Sequence, residues 1–220
     1  MGRTSQPSAR KRSIRPYWRR RTWVVLIFNV IMLVWIIAGV ATATATSSTH
    51  RRGSKLSTML LSLGQMPAGW STQPSSVSEG SGIPGCPGTK WPLPGGVSTA
   101  SAAFVDGYLP ALVEGLTAYR VSIRASFARD LHGFDGCHSV KMSSGGKTTT
   151  AQFREMSFPR VGDASAAYDM LVSHSGMTAQ FVFVFARKGR ITMMLTEIDV
   201  GQVDTTQFEH FTRMAIAKVR

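Results

Sequence analysis

The sequence predicts an α+β fold: an antiparallel sheet of two hairpins covered by helices, preceded by one N-terminal transmembrane helix. Three observations lead to this fold class. Residues 23–40 form an apolar run of 18 residues without a charge. The C-terminal half contains two pairs of strand-like segments, each pair joined by a short glycine-containing connection, as in hairpins. Segments with helical apolar spacing follow each pair, so the order hairpin, helix, hairpin, helix favours a sheet covered by helices.

The basic charge of the chain is concentrated at its N-terminus. The formal net charge is +13, and residues 1–22 contain eight basic residues and no acidic one. Residues 79–220 are nearly neutral, with 14 basic and 12 acidic residues. Basic residues beside an apolar span stay in the cytoplasm, so 1–22 is predicted to be a cytoplasmic tail. A nucleic-acid-binding arm is the weaker alternative, because Tyr17 and Trp18 are its only aromatic residues, and we expect no nucleic-acid partner.

Residues 23–46 are predicted to be a retained signal-anchor in the cell membrane. Eighteen helical residues span about 27 Å, and the Ala/Thr tail extends the helix across a hydrocarbon core of about 30 Å. A cleaved signal peptide is the alternative, since 41–45 offers two Ala-Thr-Ala cleavage motifs, but its apolar region would be shorter, about 7–15 residues. The anchor places 47–54 as a linker and 55–220 as an exported domain outside the membrane.

The two cysteines, Cys86 and Cys137, are predicted to form a disulfide. An even cysteine count outside the membrane indicates a crosslink. A zinc site with His132 and His138 is an alternative, although no CxxC or HxxxH spacing supports it. A catalytic thiol is the other alternative, and it would need a reduced compartment and an activating partner.

The elements of the exported domain follow from local patterns. Residues 55–63 are predicted to be an amphipathic helix, and 71–98 an irregular segment tethered by Cys86. Phe104 is predicted to lie in a short strand. A helical piece is expected from Pro110. The segment 122–134 has both strand-like and helix-like apolar spacing, and we interpret it as a helix because its charges then point away from the apolar stripe.

The C-terminal half is predicted to contain two hairpins and two helices. The first hairpin joins 137–142 to 149–158, and the second joins 179–186 to 191–198, with its first strand central because it is apolar on both faces. Asp163 is predicted to cap a helix with an apolar stripe, and Asp204 to cap the last helix in a capping-box pattern with Gln207. The two stripes are Ala164, Ala167, Tyr168, Leu171 and Val172, and Phe208, Phe211, Ala215 and Val219.

Several of these segments together resemble a known family. They are "MPAGW", the two cysteines in their settings, "FPRVGDASAAY", "FVFARKGRITMML" and the closing helix. Across 55–220 the pattern resembles the exported sensor-type domains of actinobacteria, such as the extracellular PknH-like domain of receptor kinases and related lipoproteins. The resemblance implies an antiparallel sheet with helices and a groove for an unidentified ligand. The chain departs from the kinase type, with one cysteine pair instead of two and only 22 residues before the apolar run, too few for a kinase domain.

No catalytic motif, metal site or cofactor motif is recognised in the sequence. "SSGGKT" lacks the first glycine of a phosphate-binding loop, since Lys141 stands at that position, and we expect no catalytic residue. Two hypotheses remain: a membrane-anchored module that binds a small apolar or envelope-derived ligand, and a non-catalytic interaction subunit of an envelope complex. An unrecognised hydrolase is a distant third. Trp91, Phe104 and Tyr108 are the candidate ligand-binding residues; the alternative is that these rings form a small core.

Overall fold

The computed structural model describes residues 55–75, 86, 91–144, 147–174 and 176–220. The predicted cytoplasmic tail, the transmembrane segment 23–46 and the linker 47–54 lie outside these residues, so their assignment stays a prediction. Within the described part of the chain, no helix has the length and apolarity that a membrane crossing requires.

The central element is one antiparallel sheet of eight strands. The strand order is β1-β2-β3-β8-β7-β6-β5-β4, so every connection joins neighbouring strands except the one from β3 to β4, which contains a helix, and β8 closes against β3. The strands are β1 (Trp70–Gln73), β2 (Gly96–Asp106), β3 (Ala111–Tyr119), β4 (Ser139–Ser144), β5 (Lys147–Glu155), β6 (Ala164–His174), β7 (Met177–Lys188) and β8 (Ile191–Val200).

Two α-helices cover opposite faces of the sheet. Helix α1 (Arg124–Asp135) packs through Phe127 and Phe134, and helix α2 (Thr205–Lys218) packs through its buried stripe. Because successive residues of a strand point to opposite faces, each strand contributes to both cores. We call the two sides the α1 face and the α2 face.

The α2 face carries a core of aliphatic and aromatic side chains. It contains Val184 of β7, Leu195 of β8 and Leu116 of β3, all fully buried beneath α2. A leading segment, residues 55–66, adds two single 3-10 turns, Ser57–Met59 and Leu63–Gln65, over the β1–β3 side. The leading segment therefore completes the core that α2 begins.

The predicted helix from Asp163 is wrong, because 164–174 forms strand β6 between β5 and β7. As a strand, this segment buries Ala167 in the α2-face core and Tyr168 on the α1 face. Burial on both faces stabilises the strand more than the helical spacing of its apolar residues favours a helix. Asp163 is not a helix cap: its carboxylate accepts hydrogen bonds from the Gly189 amide (2.8 Å) and Arg187 Nη1 (3.0 Å). It anchors the β7–β8 turn instead.

Two other predicted helices are also wrong. The piece from Pro110 is strand β3, whose residues are buried on both faces between β2 and β8. The predicted helix 55–63 is reduced to the 3-10 turns of the leading segment. In both places tertiary contacts decide the conformation against local spacing.

Four other predicted elements are confirmed. Helix α1 covers the ambiguous segment, and both hairpins, β4–β5 and β7–β8, are present. Strand β7 is central and buried on both faces. Asp204 caps α2, since its carboxylate accepts hydrogen bonds from the amides of Thr206 (3.0 Å) and Gln207 (3.1 Å). The antiparallel sheet with covering helices is thus confirmed, and the sheet is larger than two hairpins.

Candidate functional site

A disulfide joins Cys86 to Cys137, just beyond the end of α1, as predicted. The two Cα atoms are 5.5 Å apart, and 51 positions separate the cysteines in the sequence. Both sulfurs are used in this bond, so neither is available as a zinc ligand or a catalytic thiolate. The crosslink holds the chain before Trp91 to the α1 side of the molecule.

Trp91 lies on the α1 face, inside an aromatic cluster. Its ring centroid is 4.9 Å from that of Phe185 on β7 and 6.3 Å from that of Phe127 on α1. Phe134 lies near the opposite end of α1 from Phe127, and it stacks on Phe185 with the ring centroids 4.7 Å apart. Tyr168 lies 5.2 Å from Phe134, and burial raises the pKa of its hydroxyl above the ordinary value. Rings packed in this way form an aromatic wall of large, rigid side chains in the buried layer between α1 and the sheet.

The α1 face changes character where β3 meets β8. Three of the six facing residues there are threonines and one is a glycine: Gly115 pairs with Met194, Thr117 with Thr192, and Val113 with Thr196. Gly115 is buried in the interior of β3 and adds no side chain to this surface. A glycine inside a strand often marks a place where another group approaches the backbone closely. We call the surface formed by these six residues the threonine floor.

Two hydroxyl groups of the threonine floor are buried without a hydrogen-bond partner. They are the Oγ1 atoms of Thr192 and Thr196, in residues that are 0% and 6% exposed. Leaving a buried hydroxyl unpaired costs about 1–3 kcal/mol. Aromatic rings with a few polar groups are the residue types that usually line a small-molecule site, and here both lie in the buried layer of the α1 face.

The three aromatic residues predicted to bind a ligand do not come together. Phe104 is buried in the α2-face core, on the opposite side of the sheet from Trp91. Tyr108 lies between β2 and β3 and is 73% exposed. A single cleft lined by all three is therefore ruled out geometrically, and ligand binding by any one of them stays a prediction. Trp91 is the one that borders the candidate site.

A buried carboxyl group on the α2 face holds the leading segment. Glu114 of β3 is fully buried, and its Oε2 accepts a hydrogen bond of 2.7 Å from the Leu61 amide. Its Oε1 has no partner. Burial raises the pKa of Glu114 to about 7, against the lowering effects of the Leu61 hydrogen bond and of the positive charge of Lys218.

A second buried carboxyl group lies on the next strand of the same face. Glu197 of β8 is 1% exposed and its Oε2 has no partner. Burial, together with the negative charges of Asp199 and Asp204, raises its pKa to about 8. Both acids therefore carry a proton over part of the neutral range, which removes most of the cost of burying a charge.

A third buried acid of this face is fully paired. Asp169 of β6 receives two hydrogen bonds from Arg154, from Nε at 2.7 Å and from Nη2 at 2.8 Å, and one from Gln180 at 3.3 Å. Gln180 in turn accepts a hydrogen bond from the Val203 amide, just before α2. This network positions the start of α2. Within the described residues, no group of three His, Cys, Asp or Glu side chains could hold a metal ion.

Comparison with known proteins shows the fold and no family. No protein-family profile and no curated protein matches the sequence. The structure is similar to the crystal structure of the extracellular domain of PknH from Mycobacterium tuberculosis, with a TM-score of 0.53 and 11% identity. The similarity covers 73% of this chain and 92% of that one. The two chains share a fold. The resemblance noted in the sequence is confirmed at that level.

Sequence reasoning missed the threonine floor and the two buried acids. A signal for the acids exists, because Glu114 in "ALVEGLTAY" and Glu197 in "ITMMLTEI" are single acids within strongly apolar segments. The floor has no such signal. Thr192, Thr196 and Gly115 become neighbours only through the pairing of β3 with β8.

Proposed function

We propose that the chain is a membrane-anchored extracytoplasmic sensor-like module that binds a small apolar or envelope-derived ligand on the α1 face. The observation that carries the proposal is the threonine floor, where two buried hydroxyl groups without partners lie beside the aromatic wall. A ligand that lies on this floor and accepts or donates a hydrogen bond there recovers the cost of their burial.

Two further observations support the exported location within this proposal. The disulfide is typical of proteins outside the reducing cytoplasm. The fold is that of a domain whose published description is extracellular. The charged tail and the apolar segment 23–46 of the sequence agree with an anchor on the cytoplasmic side of that domain.

Native mass spectrometry of the full chain, purified in detergent from membranes of its own host, tests the binding function. We expect the wild-type chain to retain a bound molecule of defined mass. The Gly115→Val variant adds a side chain to the middle of the floor and is expected to lose that molecule.

Ala118→Val is the matched control, because Ala118 lies on the same strand and packs on the α2-face core. It should retain the molecule. Both variants should keep the cooperative thermal melting of the wild type, which reports that the domain is folded. A wild-type chain that carries no adduct, or an adduct equally present in folded Gly115→Val, contradicts the proposal. Stable co-purification of another envelope protein without a small molecule would favour the interaction-subunit hypothesis.

A further inference from the structure

Two loops meet at the end of the sheet that carries the β7–β8 turn. Strand β3 ends at Tyr119, whose amide donates a hydrogen bond to the carbonyl of Arg190 in that turn. Arg190 Nη1 in turn donates to the carbonyl of Arg120 at 2.9 Å. Arg120 and Arg190 are exposed, and so is the next residue after Arg120, Val121, at 70%. The loop after β3 and the β7–β8 turn therefore lie side by side at the surface.

Two more basic residues belong to the same end of the sheet. Lys188 ends β7, and its Nζ donates to the Ile216 carbonyl at 3.3 Å, in the last turn of α2. Arg160 Nη2 donates to the carbonyl of Asp163, and the amide of Asp163 donates to the Arg187 carbonyl at 2.8 Å. We call the following five residues the basic tip: Arg120, Val121, Arg160, Lys188 and Arg190.

The positive charge of the basic tip is not balanced by neighbouring acids. The segments 119–122, 160–163 and 187–190 contain five basic residues and a single acid, Asp163. Arg187 pairs with that acid at 3.0 Å, so these two charges cancel. Within the described part of the chain, the other four basic side chains form no ion pair. The tip therefore carries an excess of four positive charges around one exposed apolar side chain.

The other end of the same strands carries acidic side chains. Strand β3 is nine residues long, which separates its two ends by about 27 Å. At its far end lie the exposed Asp106, which closes β2, and Asp199 near the end of β8. The exposed Asp204 caps α2 shortly after β8. Positive charge therefore lies at one end of the sheet and negative charge at the other.

The leading segment contacts the same end of α2 as the basic tip. Lys218 Nζ, in the last turn of α2, donates to Gln65 Oε1 at 2.8 Å, and Lys188 of the tip bonds to that turn as well. Eight residues, 47–54, separate the leading segment from the predicted anchor, and eight residues span at most about 29 Å. A tether of this length keeps the tip at a high effective concentration beside the membrane.

We propose that the basic tip docks on the surface of the membrane that holds the anchor, where it binds the anionic headgroups of phospholipids. The four basic side chains contact headgroup phosphates, and Val121 enters the boundary between headgroups and acyl chains. Each basic side chain near an anionic bilayer strengthens binding about fivefold. Because the tip is an end of the sheet, docking leaves both faces clear of the membrane. This inference goes beyond the proposed ligand binding and rests only on the anchor of the proposed function.

Fluorescence quenching in lipid nanodiscs tests the docking. The full chain is placed in discs of one-third phosphatidylglycerol and two-thirds phosphatidylcholine, or of phosphatidylcholine alone, each with a trace of lipid that carries a nitroxide headgroup. Val121→Cys, labelled with bimane, reports on the tip. Tyr108→Cys is the matched control, because Tyr108 is 73% exposed at the acidic end. The native cysteines are joined in the disulfide, so the label attaches to the new cysteine.

We expect the probe at position 121 to be quenched in the phosphatidylglycerol discs and much less in phosphatidylcholine. The probe at position 108 should be quenched weakly in both. Raising the salt from about 0.1 M to about 1 M shortens the Debye length from about 10 Å to about 3 Å, so it should release the tip.

A pair of charge-matched variants separates the tip from the net charge of the chain. Arg120→Gln with Arg190→Gln removes two charges of the tip and should lower the docking constant on the order of 30-fold. Arg129→Gln with Lys141→Gln removes two exposed charges from α1 and β4 and should leave that constant nearly unchanged. All four side chains are exposed, so both double variants should melt cooperatively like the wild type.

The outcomes separate this proposal from the proposed function. Equal quenching at positions 121 and 108, or equal quenching of position 121 in the two kinds of disc, overturns the docking while the ligand-binding proposal stands. An equal loss in the two double variants also overturns it, because net charge alone would then explain the binding. Shielding of the position-121 probe only by added polyglutamate would assign the tip to an acidic protein surface and overturn the lipid partner. A full chain that does not stay in the discs contradicts the anchor, and the docking with it.

Discussion

The α1 face and the α2 face are built on the same strands, yet they bury different kinds of unpaired polar group. The α2 face buries the carboxyl groups of Glu114 and Glu197, and the α1 face buries the hydroxyls of Thr192 and Thr196. A carboxyl group can take up a proton and become neutral, so its burial is relieved by pH. A hydroxyl group does not titrate in this range, so only a partner relieves its burial. The comparison predicts that the α2 face responds to pH and the α1 face to a ligand.

The largest expected effect is a fall in stability as the pH rises. The folded-state pKa values of Glu114 (about 7) and Glu197 (about 8) lie above the ordinary value of 4.5. Between pH 4.5 and 8 the folded state therefore binds more protons than the unfolded state, and the free energy of unfolding decreases with pH. The two pKa values lie about 2.5 and 3.5 above the ordinary one, so at about 1.4 kcal/mol per pKa unit the loss is on the order of 8 kcal/mol for the two groups together.

Thermal melting of the full chain in nonionic detergent between pH 5 and pH 8 measures this response. The double variant Glu114→Gln, Glu197→Gln should melt at nearly the same temperature across that range. Thr192→Val, on the other face, should keep the wild-type slope. A melting temperature that rises with pH would show that the two acids are not neutral in the fold.

The second-largest expected effect is the stability lost when the disulfide on the α1 side is removed. Cys137→Ser should lower the free energy of unfolding by about 4 kcal/mol on the chain-entropy estimate for a loop of this length. For a domain of this size the melting temperature should fall by on the order of 10 °C. Cys86→Ser should have the same effect, and the double variant should add little, because each single change already breaks the bond. Free thiols in the non-reduced wild-type protein would contradict the crosslink.

Asp204 affects both the stability and the pH response of the α2 face, since it caps α2 and also raises the pKa of Glu197. Asp204→Ala should cost about 1 kcal/mol through the lost cap. Asp204→Ser keeps a capping oxygen but removes the charge, so it should cost less and should lower the pKa of Glu197. The midpoint of the pH-dependent melting curve reports this shift. A midpoint unchanged in both variants would mean that the charge of Asp204 does not act on Glu197.

The smallest expected effect is a gain. Thr196→Val removes a hydroxyl without a partner, and we expect it to raise the free energy of unfolding of the ligand-free protein by up to about 1 kcal/mol. The matched change on the other face is Val184→Thr, which buries a new hydroxyl in an apolar core and should cost about 1–3 kcal/mol. Urea unfolding of both variants measures the difference. A loss of stability in Thr196→Val would mean that its hydroxyl has a partner in solution.

Patterns that act over a few residues were sufficient for part of the fold. The Asp204 cap, the stripe of α2 and the two hairpins depend on neighbouring residues, and each is present as predicted. The disulfide followed from the count of cysteines and the exported setting. These features need no knowledge of which strand lies beside which.

The remaining features were decided by tertiary pairing. Residues 111–119 and 164–174 have helical spacing, yet both become strands, because a strand between two neighbours buries side chains on both faces at once. Phe104 and Trp91 were expected in one cleft, but two residues can be buried on opposite sides of one sheet. The threonine floor exists only because β8 pairs with β3, which brings together residues more than 70 positions apart in the chain.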